Sequence, residues 1–513
     1  MKKEPNVPKI LAMYLPQFHE TEDNNRFWGK GFTDWKAAQL AEQYFPEHCQ
    51  PRVPLGGNYY DLSKKEIMIW QAKLAKEYGV FGFCFYHYYF KDGKMELELP
   101  AENLLRWKDI DIHFCFDWDN SPWIRTWSKI NGNIWSDKFD EFRGDSSREV
   151  LVEQDYESRD LWNKHFDYLL PFFRDERYIK INDRPVFIIH YPAEFDNLDE
   201  MIACWNQLGQ TSGFAGIYFI GVNYDTNHSP FDAVLFYEPA NSFPKLIECD
   251  KYESLNGVRC FHYADLCKAI LETAPSVYKN SFFCAVTRYD NTPRVGRDGN
   301  VVIDDSPSLF QKNLVELLRK SMRYRSSFVF VDAWNEWGEG MYLEPDEQYG
   351  HKYLVAIKES LSSLVQEEDD ENVELLPIYE DKIKSLDFQL IRLKYQYNLL
   401  DKWMALIQQN RLSFKDYLLS ENVKSVAIYG MASLGYHLLS QLNDEGIEVK
   451  FGIDRQIRRI DRPFKIYLPD DMFPHVDAII VTAYQCLEVI EFLKQKFDGK
   501  IITLQSILDF YFT

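Results

Sequence analysis

Residues Phe328 to Pro345 read FVFVDAWNEWGEGMYLEP. The stretch opens on a continuous apolar run, the mark of a strand buried on both faces. It then breaks into Asn335, Glu336, Trp337, Gly338, Glu339 and Gly340, with Glu344 and Pro345 soon after. Glu336 and Glu339 thus stand three residues apart, beside a Trp, where a buried strand ends. A carboxylate there loses water and keeps its proton to higher pH, while a neighbour in a wetter spot stays ionised. That difference suits acid/base work on a sugar. The plainer reading is a turn with two solvated acids and a core Trp.

Outward from this stretch, strand-like runs recur at Ile10–Tyr14, Phe81–Tyr86, Ile112–Phe116, Val186–His190, Gly216–Ile220, Ala233–Phe236 and Phe282–Val286. With Phe328–Val331 they number eight. Amphipathic segments fall between several of them: Lys64–Tyr78, Asp160–Phe173, Leu198–Leu208, Tyr263–Glu272 and Leu309–Tyr324. Eight alternations predict an α/β fold, a (β/α)8 TIM-like barrel. A full fifth helix is hard to place in residues 221–231. Long insertions at 15–60 and 117–158 are expected to loop over the site.

In such a barrel the chemistry sits on loops after the strand C-termini, and that rule selects candidates. They are Tyr14, Gln17 and His19 after strand one, and His87 and Tyr88 after strand two. Asp117, Asp119, Trp123 and Arg125 follow strand three, and His190 and Tyr191 strand four. Asn223 follows strand five, Glu238 strand six, and Asp290 and Asn291 strand seven. The two glutamates follow strand eight. Each alone reads most simply as a loop or core residue. The clustering of polar and aromatic groups at nearly every strand end is what a sugar cleft requires.

NEWGEG followed by LEP is similar to the Asn-Glu-Trp-His-Glu-Gly…Glu-Pro segment of the endo-α-mannosidases, glycoside hydrolase family 99. It more closely resembles the WbsX-type proteins of bacterial surface-polysaccharide clusters, described as glycosyltransferases with a family-99-like domain. Further landmarks resemble WbsX proteins in the same order: Tyr14-Leu-Pro-Gln-Phe-His19, Trp28-Gly-x-Gly-Phe-Thr-Asp-Trp35, Gly82-Phe-Cys-Phe-Tyr-His-Tyr88, Asp290-Asn-Thr-Pro-Arg294 and Tyr342-Leu-Glu-Pro-Asp346. Together they span about the first 355 residues. Trp35, Asn335 and Trp337, from these motifs, complete the candidate substrate-binding set.

After strand three the family carries a Trp-Ala-Asn-Glu-x-Trp-x-Arg-x-Trp-like stretch. Here Cys115 to Trp127 reads CFDWDNSPWIRTW, with Asp119 as the nearest acidic counterpart. The resemblance implies a retaining process through a 1,2-anhydro sugar. Glu336 would act as base on the 2-hydroxyl, and Glu339 would protonate the departing oxygen and then activate the acceptor. Gly338 stands where the mannosidases have His. Transfer or cleavage of glycosyl units in surface-polysaccharide biosynthesis, endo-mannosidase-like hydrolysis and a non-catalytic glycan-binding scaffold all stay open. The expected partner is a glycan or activated sugar, without cofactor or metal.

The chain has 513 residues, enough for two or three domains. Aromatic residues make up 16%, and flat rings can pack either a large core or the apolar faces of pyranoses. A formal charge of −21 argues against nucleic-acid binding and against simple docking on anionic membranes. MKKEPNVPKI has no apolar signal core, and no window is long enough for an integral membrane segment. Nine cysteines lie scattered without metal-type spacing, as reduced thiols of a cytoplasmic protein would.

The barrel domain is expected to run over 1–365. An acidic linker and a coiled-coil-like helix would follow over 366–420. In it Ile383, Leu386, Leu390, Leu393, Tyr397, Leu400, Met404 and Ile407 alternate steps of three and four. Such a stripe needs a partner, either a second copy through 383–407 or the body of its own barrel. Residues 421–513 read as a Rossmann-like α/β domain, with GMASLG from Gly430 to Gly435 opening a helix and Asp454 ending the next strand. A nucleotide could sit there. Ala432 replaces the middle glycine, so a packing module is the plainer reading.

Overall fold

The computed structural model describes residues 7–124, 150–156, 158–226, 229–370, 397, 399–409, 411–431, 433–454, 465–482 and 486–511. The chain divides into two compact units, 1–373 and 374–513.

The first unit is a closed ring of eight parallel strands: β1 (Lys9–Tyr14), β2 (Val80–Tyr89), β3 (His113–Trp118), β4 (Arg184–Ile189), β5 (Tyr218–Val222), β6 (Ala233–Phe236), β7 (Asn280–Val286) and β8 (Phe328–Asp332). Each pairs with its sequence neighbour, and β8 closes on β1 with Lys9 opposite Phe328. Parallel neighbours need crossovers. These are α1 (Lys65–Glu77), α2 (Leu99–Arg106), α3 (Arg159–Phe173), α4 (Leu198–Thr211), α5 (Tyr263–Glu272) and α6 (Pro307–Arg323), with α7 (Lys352–Asp370) after β8. Between β5 and β6 the described residues hold no helix. The expected (β/α)8 barrel is therefore present, with the fifth crossover reduced to a loop.

Alternation along each strand separates two cores. On β3, Phe114 and Phe116 both pack edge-on against Phe172 of α3. The intervening Cys115 lies in register with Cys84 of β2 inside the ring. Burial, with Cys115 beside it, drives the Cys84 thiol well above its ordinary range, so it is an inert filler. The barrel takes small thiols where large rings would not fit. All eight cysteines given a description are free.

The second unit holds a parallel sheet of β9 (Val426–Tyr429), β10 (Val449–Ile453), β11 (Ile466–Tyr467), β12 (Ala478–Val481) and β13 (Lys500–Thr503), in the order β11-β10-β9-β12-β13. That is the 3-2-1-4-5 order of a doubly wound sheet. A helical stretch at 399–408 packs Leu399, Trp403 and Leu406 into the core of this unit. It leaves Tyr397, Met404 and Ile407 exposed, at 70%, 52% and 39%. Of the alternating stripe, Leu400 packs against this core, while Met404 and Ile407 stay exposed. Ile383 to Leu393 lie outside the described residues. No described helix is long and apolar enough to cross a membrane.

Candidate active site

β8 ends at Asp332, and the chain turns through a miniature hairpin in which Asn335 pairs with Tyr342 and Glu336 with Met341. Its tip is a 3-10 turn, Trp337–Glu339, closed by Gly340 at φ 65°. A left-handed residue at the end of a tight turn is what glycine supplies at least cost. Three residues per turn stack positions i and i+3, so Glu336 and Glu339 come out on one side.

Both meet Arg294. One guanidinium nitrogen donates to Glu336 Oε2 at 2.9 Å and to Asp34 Oδ2 at 3.1 Å. The other donates to Glu339 Oε1 at 2.6 Å. Glu336 is the deeper of the two, its side chain 7% exposed against 27% for Glu339. Burial pushes the Glu336 carboxyl well above its usual range; Arg294 pulls it back, and Glu339, Asp34 and Asp332 push it further up. Asp332 itself is raised to about 8, chiefly by burial. Three carboxylates around one guanidinium leave a deficit of positive charge, and Glu336 is held above its usual range in spite of Arg294.

Glu336, Glu339 and Arg294 line a cleft of about 1060 Å³ at the C-terminal mouth of the ring. Of the sequence candidates, Gln17, Tyr88, Asp119, Trp123, Tyr191, Asn223, Glu336 and Glu339 face it. His190, a further candidate from strand four, faces it too, and Tyr86, Tyr237, Tyr289 and Trp28 join them. His190 donates through Nδ1 to Asp117 Oδ2 at 2.8 Å. Burial works against its charge, but Asp117, Asp119 and Asp332 outweigh it and lift the imidazole to about 9. It is therefore a cation at neutral pH.

The other candidates are placed away from the cleft, and alternation gives the commonest reason. Tyr86 and Tyr88 point into the cleft, so His87 between them points out, its Nε2 2.8 Å from Nε2 of His165 on α3. Burial takes His87 down to about 3, a neutral core histidine. Asn335 and Trp337 flank Glu336 in the same way. Asn335 clamps the end of β1, accepting from the Leu15 amide at 2.8 Å and donating to the Leu15 carbonyl at 3.0 Å. Trp337 stacks on Tyr342 with centroids 3.6 Å apart and donates to Glu344 at 2.8 Å.

Tyr14 is fully buried and donates to Gln71 on α1. His19 is buried outside the cleft lining. Trp35 donates to the Tyr60 carbonyl at 2.8 Å and packs against Trp337. Asp117 serves His190. Glu238 accepts from Ser242 and Asn241, with burial raising it to about 7. Asp290 accepts from Gln50 and Thr292 and pairs with His48, and Asn291 accepts from the Asn300 amide. These last are loop clamps, with their lone pairs already spent. Arg125 lies outside the described residues.

Asp34 and Arg294 were absent from the candidate set, although both lie in the quoted landmarks. Their separation of 260 residues hides the pairing. The available signal was Pro293, a helix-start residue that turns the chain through Thr292–Val295 just after β7. No group of three or more residues suited to a metal occurs among the described residues.

In the second unit, Gly430 at φ 96° donates to the Ile453 carbonyl. A Cβ on Gly435 would lie 2.2 Å from the Gly430 carbonyl oxygen. Asp454 accepts from the Met431 amide at 2.6 Å. Both glycines thus serve close packing of turn, helix and strand, and the acid caps the turn after β9.

An eight-stranded α/β barrel with paired glutamates in an aromatic-walled cleft at its C-terminal mouth is the class of protein that fold and site define. Within that class, the chain belongs to the glycosyltransferase WbsX family, whose sequence model matches residues 10–357. It is 29% identical over 363 residues to the uncharacterized protein WxcX of Xanthomonas campestris pv. campestris (strain B100), covering 69% of this chain and 49% of that one. A second strain, ATCC 33913, gives the same figures. The chain thus spans about half the length of the curated relatives it matches. Among solved structures it is similar to the GH99 endo-α-mannosidase from Bacteroides thetaiotaomicron, at 12% identity over 72% of this chain and 100% of that one, with a TM-score of 0.41. A glycoside hydrolase-like protein gives 14% over 70% and 95%, also with a TM-score of 0.41.

Proposed function

We propose that the protein is a carbohydrate-active enzyme that transfers glycosyl units in bacterial surface-polysaccharide assembly, with Glu336 and Glu339 as the reacting pair. The observation that carries this reading is their shared seat on Arg294, facing a cleft with room for several sugar rings. Trp123, Tyr88 and Tyr191 supply flat walls for pyranose faces.

In the proposed reaction Glu336, ionised against the charge of Arg294, takes the proton of the 2-hydroxyl, whose oxygen displaces the leaving group at the anomeric carbon. Glu339 gives its proton to the departing oxygen. Glu339 then takes a proton from the acceptor hydroxyl as that oxygen opens the anhydro ring, and Glu336 returns its proton to the 2-oxygen. The net result retains configuration. Hydrolysis uses the same steps with water as acceptor, and is the second reading.

Incubation with candidate lipid-linked donors and α-mannan-like glycans, followed by mass spectrometry of the products, tests the proposal. Transfer gives a larger glycan; hydrolysis gives a new reducing end. No product from wild type or E339Q would leave only a glycan-binding scaffold. We also propose that the chain forms a homodimer through 383–407, supported by the exposed Tyr397, Met404 and Ile407.

A further inference from the structure

Gly338 sits between the two glutamates, and the reason for a glycine there is space rather than backbone angle. A Cβ at 338 would come within 2.6 Å of Asp34 Oδ2 and 2.7 Å of Arg294 Nε. Both neighbours are fixed. Asp34 is fully buried, accepts the Gly338 amide at 3.1 Å and holds Arg294 through two of its nitrogens. The ion pair therefore fills the volume that any side chain at 338 would claim.

We propose that the Asp34–Arg294 pair, admitted by the missing side chain at 338, is the positioning unit of the site. It holds Glu336 and Glu339 on separate guanidinium nitrogens and supplies the charge against which Glu336 can stand as an anion. Its significance for catalysis rests on the reading of those two glutamates as the reacting pair. Asp34 is the anchor: it sets the plane of the guanidinium, and the plane sets where both carboxylates point. A planar fork is the group that can do this; an ammonium cannot.

The groups facing Glu336 are Arg294, Asp34, Glu339 and Asp332, with the hydroxyls of Tyr86, Tyr88 and Tyr289. Arg294 is the cation among them, and the remaining charges disfavour ionisation of Glu336. An opposite charge at contact distance lowers a carboxylate pKa by about one to three units. Losing it therefore raises the Glu336 midpoint.

The test is a pH titration of the full chain labelled with 13C at glutamate carboxyls, with Glu336 and Glu339 assigned from E336Q and E339Q. R294M is expected to raise the Glu336 midpoint by about one to two pH units. G338A is expected to raise it in the same direction by a smaller step, although no charge is altered. R294K, which keeps the charge but not the fork, is expected to fall between wild type and R294M. It replaces R294M as the test of the planar fork if the latter loses its native circular dichroism. A Glu336 midpoint unmoved in G338A, or in the folded Arg294 variant, overturns the proposal. This readout needs no substrate, so a failure to find any product would count against the proposed reaction and leave the titration standing.

Discussion

His190 and Asp117 are joined by a 2.8 Å bond between Nδ1 and Oδ2, and their strands, β4 and β3, are neighbours in the ring. The pair couples folding to pH. A histidine whose folded pKa is raised contributes stability that is complete below its unfolded pKa and lost as pH rises through the folded one. With the imidazole lifted to about 9, the window runs from about 6.5 to about 9. Wild type is expected to lose about 1–3 kcal/mol of stability across it from this pair. D117N is expected to lose less over the same window. Urea unfolding at several pH values measures both, and parallel slopes would remove the pair from the account.

E339Q and E336Q keep shape and lose the capacity to exchange a proton. Each is expected to cut product formation by about 10²- to 10⁴-fold. Circular dichroism should remain native. Turnover near the wild-type rate in either variant would show that the carboxylate does not react.

Trp123 stands in the cleft wall with Tyr88 and Phe90 edge-on behind it, at 5.4 and 5.7 Å. W123A removes a stacking face worth about 0.5–1.5 kcal/mol beyond its buried area. The expected result is roughly a tenfold rise in KM, with a smaller change in kcat. A KM that stays constant would place the sugar elsewhere in the cleft.

Trp205 of α4 is fully buried, donates to the Trp162 carbonyl and packs on Phe187 and Phe219 of β4 and β5. W205A leaves a large void between helix and sheet. A loss of about 3–5 kcal/mol is expected from equilibrium denaturation.

Met404 and Ile407 are exposed on the helical stretch at 399–408, while Leu406 between them is buried. The double variant M404E/I407E is expected to convert a dimer into a monomer in light scattering. Its unfolding midpoint at low concentration should not change. A wild type that is already monomeric would refute dimerisation.

The barrel was legible because its signals are local. Ala233–Phe236 and Tyr263–Glu272 match their predicted bounds, since an apolar run and a 3.6-residue period are written in adjacent residues. The thin fifth crossover was legible too, as a span without periodicity. Glu336 and Glu339 were legible because a three-residue spacing already fixes a common side in a tight turn.

The membership of the site was a tertiary matter. Whether His87 or Tyr88 faces the cleft depends on the phase of β2 within the closed ring, and one step of phase exchanges inside for outside. Asp290, Glu238 and Asn291 look like free polar groups in sequence, yet the fold spends them on loop amides and side chains that only closure brings near. Asp34 and Arg294 meet across 260 residues, and charge pairs at that separation leave no periodic trace. The sequence by itself determined a ring of strands and two acids at its mouth. The tertiary structure alone decided which charges surround those acids, because Coulomb interactions follow distance in space rather than along the chain.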